Sequence, residues 1–229
     1  MAIPPVHLKP NAPVAERALL PGDPGRALRL AQHLLAAPMQ ILNTNRGLWG
    51  YTGTAADGAP LTIQSTGMGG PSAAIVAEEL IALGARRLVR IGTCGALVDG
   101  LELGDLVAAE TIIAADGASV ALGANGRLGS DPELLARLVA AGAAPAGVVS
   151  SDLFYDPRDE AARGWIERGA SVVEMEAAAI LQVAARREVT AACVLAVTDA
   201  GSRRVEAEEL EPLALRLGDA GYAAVARSR

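Results

Sequence analysis

Lysine is almost missing from this chain: Lys9 is the only one, and arginine supplies the rest of the positive charge. Aromatic residues make up 3% of the 229 positions, so any core must be built from Ala, Leu, Val and Ile. The two cysteines, Cys94 and Cys193, form no Cys-x-x-Cys pair, and the only histidines are His7 and His33. That donor set argues against a zinc site, so no metal is expected, and it fits a reduced, cytoplasmic protein. No Gly-x-Ser-x-Gly elbow is present, which argues against a Ser-His-Asp hydrolase. No apolar run reaches the roughly 18 to 20 residues that span a bilayer. The stretch from Met1 to Asn11 has early prolines and no apolar block, so no secretory signal is expected there. The net charge of -6 disfavours non-specific nucleic-acid binding.

What is present is an alternation. Short β-rich runs (17–20, 51–54, 60–65, 87–91, 106–113, 147–150, 191–197) separate Ala- and Leu-rich helical runs (26–35, 72–83, 132–141, 175–187, 206–227). Asp57-Gly58 marks a hairpin turn, and Asp116-Gly117 reads as a second turn. His33 falls in the amphipathic run 26–35 and is expected on a helix surface. The alternation predicts an α/β protein with a mixed, mostly parallel central sheet flanked by helices. No composition break or repeat divides residues 1–229, which are expected to form one domain.

Three short Gly-containing segments carry arginines: Pro21-Gly22-Asp23-Pro24-Gly25-Arg26, Asn45-Arg46-Gly47 and Arg90-Ile91-Gly92-Thr93-Cys94-Gly95. None is a Walker A loop or a dinucleotide fingerprint. Backbone N–H groups, the Thr93 hydroxyl and three guanidinium forks are what a protein needs to hold a phosphate dianion. Each segment also has a plainer reading. The first can be only a turn, and Arg90 can be only half of a structural ion pair. Arg26 at a helix start is the odd detail, since the positive end of a helix disfavours a cation, and a bound anion there would resolve the conflict. In sheets of this kind ligands bind beyond the carboxyl ends of the strands, where Gly22, Gly67, Gly92 and Asp199 are all expected. Glu174 and Glu176 can be helix N-terminal acids, or one can grip adjacent hydroxyls. Asp199 can be a turn cap or a general acid.

Taken in order, Pro-Gly-Asp-Pro-x-Arg, the Asn45–Gly53 stretch, Ser65-Thr66-Gly67-Met68-Gly69-Gly70-Pro71-Ser72, Arg-Ile-Gly-Thr-Cys-Gly-Ala, Ser151-Asp152-Leu153-Phe154-Tyr155 and Glu174-Met175-Glu176-Ala177 are more specific than any one alone. In that set the chain resembles the nucleoside phosphorylase family that contains bacterial hexameric purine nucleoside phosphorylase and uridine phosphorylase, from His7 to about Asp199. The resemblance implies the phosphorylase/hydrolase-like fold, a homo-hexamer built as a trimer of dimers, and reversible phosphorolysis of a nucleoside to free base and (deoxy)ribose 1-phosphate. Inorganic phosphate would be a co-substrate and no cofactor would be needed. By the same resemblance, Gly22, Arg26, Arg90 and Thr93 would bind phosphate, with Arg46 supplied by a neighbouring subunit. Met68, Met175 and Glu176 would hold the ribose, and a neighbour's His7 would meet the 5′-hydroxyl. Phe154, Val173, Glu174 and Thr198 would surround the base. Asp199 would be the catalytic acid that protonates a purine.

The base side departs from the family pattern. Purine-specific members carry an arginine some way after the acid. Here the segment is shorter, and Arg203 or Arg204 stands there out of register. The Gln and Arg with which uridine enzymes read uracil are not evident in Asp156–Glu160. The expectation is therefore a purine nucleoside phosphorylase, with uridine phosphorylase as the alternative. A nucleosidase of the same fold would not need the retained arginines, and a non-catalytic nucleoside-binding protein would not need Glu176 and Asp199.

Overall fold

A computed structural model describes residues 4–158 and 160–227. Residues 1–3, which belong to the stretch read for a leader, Asp159, and residues 228 and 229 lie outside the described residues.

The fold starts from a strand with no exposed side. β1 (Arg17–Pro21) is buried at all five positions. It pairs in parallel with β4 (Pro60–Gln64) on one flank and with β5 (Arg87–Ala96) on the other. Parallel strands buried on both faces read as continuous apolar runs, as Leu19-Leu20 and Leu88-Val89 do here. β2 (Gln40–Asn43) and β3 (Gly50–Thr54) extend the sheet beyond β4 in antiparallel order.

The other half closes on itself. β5 pairs in parallel with β10 (Thr190–Ala200), which pairs antiparallel with β6 (Leu106–Ala115). β6 pairs in parallel with β8 (Ala144–Ser151), β8 with β9 (Val172–Glu174), and β9 returns antiparallel to β5. The ring removes the free edges those strands would otherwise present. The short strands β7 (Arg127–Leu128) and β11 (Arg203–Arg204) attach to β6 and β10. Among the described residues all of these strands belong to one mixed eleven-stranded sheet whose longest pairings are parallel.

Helices cover both faces. α2 (Gly70–Ala82) and α6 (Ala177–Arg186) bury Val76, Leu80, Ile180 and Val183 against one side. The short α3 (Gly117–Ala121) lies beside them. α1 (Pro24–Leu34), α4 (Pro132–Ala140) and α7 (Ala207–Val225) bury Leu30, Leu134, Leu138 and Leu217 against the other. α5 (Ala161–Glu167) lies outside these clusters. With few aromatics available, small residues let the layers approach closely: a Cβ at Gly221 would lie 2.7 Å from Ile91 Cδ1. Among the described residues no helix is long and apolar enough to cross a membrane.

Several sequence-based boundaries move. β5 continues five residues past Ile91, through Gly92-Thr93-Cys94-Gly95, because β10 pairs with it as far as Ala96 and β9 pairs with Gly95 and Ala96. The Gly-rich segment is therefore strand, not the loop after a strand. β10 likewise runs past Val197 to Ala200, with an irregularity between Val197 and Asp199, so Asp199 lies inside a strand. Asp116 caps α3 by accepting from Ser119 N rather than forming a simple turn. α6 starts at Ala177, which leaves Met175 and Glu176 in the strand-to-helix connection.

Candidate active site

The Gly22–Arg26 turn, Gly67-Met68, the Gly92–Gly95 end of β5 and the late acidic residues meet at one cleft of about 620 Å³ at the carboxyl ends of β1, β5, β9 and β10. Each wall follows from local structure. Asp23 caps α1, accepting from Arg26 N at 2.6 Å, and so fixes the Gly22–Arg26 turn with Arg26 in the first helical turn. Arg90 and Gly92 share one face of β5, since they are two residues apart on a strand. The guanidinium folds back over Gly92, where a Cβ would lie 2.7 Å from Arg90 Nη2. Only glycine gives the fork that space.

Arg90 is the electrostatic centre. Its side chain is buried, Nε donates to Glu174 Oε2 at 2.7 Å, and Nη2 is paired with Glu176 Oε2. Nη1 is buried and has no hydrogen-bond partner among the described residues. Burial works against the charge, but Glu176 and then Glu174 more than offset it and hold Arg90 well above the ordinary arginine range. Arg26 moves the other way: burial, then the nearby Arg90 cation, lower it. Two guanidiniums that repel across a cleft, one with an unsatisfied donor, are relieved by an anion.

Glu176 faces the cleft between the arginine and the Gly67–Gly70 turn, and its Oε1 accepts from Gly69 N at 2.6 Å. Glu174, two residues earlier, is enclosed. Its carboxylate accepts from Arg90 Nε, from the N–H groups of Glu176 and Ala177, and from the Ser150 hydroxyl. Thr198 Oγ1 donates to Asp199 Oδ2 at 3.0 Å. Asp199 and Arg204 are cross-strand partners in the β10–β11 hairpin, and Arg204 Nε lies 2.7 Å from Asp199 Oδ1. Arg203 points elsewhere, to Glu102. Phe154 and Tyr155, edge to face with centroids 5.0 Å apart, stand exposed at the mouth near Met68.

A sequence model of the phosphorylase superfamily matches residues 16–222. The chain belongs to that superfamily. It is 37% identical over 215 residues to a purine nucleoside phosphorylase DeoD-type from Clostridium beijerinckii, covering 85% of each chain. It is 36% identical over 212 residues to a guanosine phosphorylase from Halorubrum lacusprofundi, covering 86% of this chain and 83% of that one. A DeoD-type protein of Roseobacter denitrificans is 37% identical over 195 residues, covering 81% and 82%.

Of the residues singled out in the sequence of this superfamily member, Gly22, Arg26, Met68, Arg90, Thr93, Phe154, Val173, Glu174, Met175, Glu176, Thr198 and Asp199 line the cleft. His7 and Arg46 do not. His7 is held on the outer side of α2, where Nδ1 lies 2.8 Å from Glu79 Oε1 and the backbone N–H groups of Val6, His7 and Leu8 donate to the same carboxylate. Asn45 Nδ2 donates to the His7 carbonyl at 2.8 Å, which joins the 3-10 turn Asn45–Gly47 to the same surface. In that turn Arg46 is exposed, with a left-handed φ of 58° that costs a non-glycine residue free energy. Leu153 and Tyr155 also line the mouth; they stand in the Ser151–Tyr155 motif, which gave a role only to Phe154. His33 is a helix-surface residue whose Nε2 lies 2.7 Å from Asp219 Oδ1. Both cysteines are buried thiols, raised above the ordinary range first by burial and then by Glu174, which disfavours the thiolate at both.

Proposed function

We propose that this phosphorylase acts on purine nucleosides, releasing the base and forming (deoxy)ribose 1-phosphate, and that the reaction runs in both directions. The observation that carries this reading is the buried Arg90 fork. Its Nη1 is buried and unpaired in the cleft wall beside Gly22, while a sibling nitrogen holds the carboxylate placed to meet the sugar. The relatives named as purine nucleoside and guanosine phosphorylases support the same substrate class.

Phosphate takes the place between Arg26, Arg90, Thr93 and the Gly22 backbone. Glu176 accepts from the 2′- and 3′-hydroxyls, as an acceptor-only carboxylate can, and Met68 and Met175 wall the ribose. A phosphate oxygen attacks C1′ while the C1′–N9 bond breaks and positive charge builds on the sugar, as in other glycosyl transfers. The bond's electron pair passes to the purine. Asp199 enters the step protonated, delivers that proton to N7, and is left as the carboxylate that Arg204 and Thr198 hold until solvent returns a proton. Phosphate is the nucleophile, so no protein nucleophile or cofactor takes part. Positioning and charge supply the rate.

His7 and Arg46 lie together on a surface apart from the chain's own cleft. The reading assigns them to the cleft of a neighbouring subunit, in a cytoplasmic hexamer assembled from dimers. The deciding assay is base release from inosine, adenosine and uridine with and without phosphate. Phosphate-dependent cleavage of the two purine nucleosides is expected. Cleavage of uridine alone would move the substrate class, and cleavage without phosphate would make the enzyme a nucleosidase.

A further inference from the structure

Glu174 belongs to the segment that resemblance assigns to the base, yet its carboxylate has nothing left to offer a base. An ionised carboxylate has about four acceptor sites. Here Oε2 takes Arg90 Nε at 2.7 Å, Glu176 N at 2.8 Å and Ala177 N at 3.0 Å, while Oε1 takes the Ser150 hydroxyl and Ala177 N at 3.0 Å. The side chain is 1% exposed. Ser150 is itself fixed, because its Oγ accepts from Ala178 N at 2.8 Å, and β8 and β9 place Ser150 beside Glu174 in register.

These contacts reach the two substrate arms at once. Through Nε, Glu174 sets the rotation and tilt of the Arg90 guanidinium, and with Nη2 held by Glu176 the remaining nitrogen, Nη1, is the one left for phosphate. Through the N–H groups of Glu176 and Ala177, the same carboxylate fixes the turn from which Glu176 reaches the ribose. We infer that Glu174 is a positioning residue: one buried carboxylate ties the phosphate arm, Arg90, to the ribose arm, Glu176, and so sets the separation between the attacking oxygen and C1′. It does not read the base.

The inference rests on the phosphorylase reading for its kinetic part, since a fixed separation matters only when phosphate and sugar react with each other. A misplacement of about 1 Å in such a pair can cost on the order of a hundredfold in rate. Glu174→Gln keeps the size but has one acceptor oxygen, and it turns an amide donor toward groups that are themselves donors. Glu174→Asp keeps the charge and draws it back by one methylene.

The experiment measures kcat and both KM values for the wild type, Glu174→Gln and Glu174→Asp, with inosine and adenosine in parallel. Calorimetric titration of inorganic phosphate into each protein without nucleoside accompanies it. The expected result for Glu174→Gln is a phosphate KM raised about tenfold and a nucleoside kcat/KM lowered about a hundredfold, with the inosine-to-adenosine ratio kept within about twofold. Glu174→Asp should recover part of both losses. A changed inosine-to-adenosine ratio with an unaltered phosphate KM would make Glu174 a base ligand and overturn the inference. A fall in kcat alone, matched by a lost folded fraction, would reduce it to a structural group and overturn it equally. If Glu174→Gln does not fold, Glu174→Asp carries the same comparison. If the wild type cleaves no nucleoside, the functional reading fails, while the phosphate titration still decides whether Glu174 sets the Arg90 fork: weaker phosphate binding in the variant supports it and equal binding refutes it.

Discussion

Arg204 and Asp199 face each other across the β10–β11 hairpin, with Arg204 Nε 2.7 Å from Asp199 Oδ1. The pair is exposed enough to add little to stability, because such pairs contribute about 0–1 kcal/mol. Its value lies in aim. The carboxyl is held from one side by Arg204 and from the other by Thr198, at the edge of the cleft.

If Asp199 delivers the proton to the leaving base, the cost of losing it depends on the leaving group. Asp199→Asn should lower kcat on inosine by about 10² to 10⁴ and spare nucleosides whose base departs readily without a proton, such as N7-methylated purines. Arg204→Ala should show the same pattern more weakly. Steady-state rates on the two substrate types check this, and equal losses on both would remove the acid role.

A second prediction concerns subunits. Chains carrying Arg46→Ala and chains carrying Glu176→Ala should each be inactive, one lacking the arm it lends and the other lacking the ligand it keeps. Co-expression should restore activity, because in a mixed dimer one cleft receives an intact Glu176 and an intact Arg46. No recovery on mixing would place Arg46 in its own subunit's chemistry, and full activity of Arg46→Ala alone would place it outside the chemistry.

Acid should loosen the far end of the sheet. Asp57 accepts both guanidinium nitrogens of the buried Arg17, along with the Ala59 and Arg227 N–H groups, and Arg17 also binds the Ala59, Pro60 and Val225 carbonyls. The hydrogen bonds from Arg17 hold the Asp57 carboxyl well below the usual carboxylate range, against its burial. A carboxylate depressed in the folded state stabilises fully above its unfolded value, about 4, and loses that contribution as pH falls toward the folded value. Asp57→Asn should cost about 3–5 kcal/mol near neutral pH, as breaking one side of a buried pair does. It should also flatten the decline of stability below pH 4, which denaturant unfolding across pH would show.

Gly147 tests the ring closure. A Cβ there would lie 1.9 Å from the Gly169 carbonyl oxygen and 3.0 Å from its carbon, both backbone atoms, where the chain enters β9. Gly147→Ala should destabilise by at least about 1–3 kcal/mol. Because it pries β8 from the segment leading to β9, it should weaken nucleoside binding more than the exposed control Gly58→Ala, whose cost is confined to its own turn. Thermal melts and KM values of the two variants separate the effects.

Much of this architecture is legible in the chain of residues. The apolar runs mark the buried strands, and Asp57-Gly58 and Pro71 mark turns and a helix start. The ordered motifs name most of the cleft, because each is a short Gly-containing segment with few conformations open to it. Where local pattern misleads, non-local pairing decides the outcome. Gly92-Thr93-Cys94-Gly95 looks like a loop locally and is strand because β10 and β9 bond to it. Arg204 looks out of register with the family pattern. It reaches Asp199 because a turn through Gly201, with φ of 61°, reverses the chain at once.

By itself, then, the amino-acid sequence determined the class of fold and the set of charged, hydroxyl and glycine residues gathered at the cleft. Those properties follow from local preference and residue type. Only the tertiary structure decided which of two carboxylates two positions apart is left facing the cleft, that Arg90 keeps one nitrogen unpaired among the described residues, and that His7 and Arg46 stand apart from their own cleft. The reason is physical: a side chain's partners come from strands and turns 84 to 107 residues away, as Arg90 to Glu174 and Gly69 to Glu176 are, and nothing local encodes which of them will meet it.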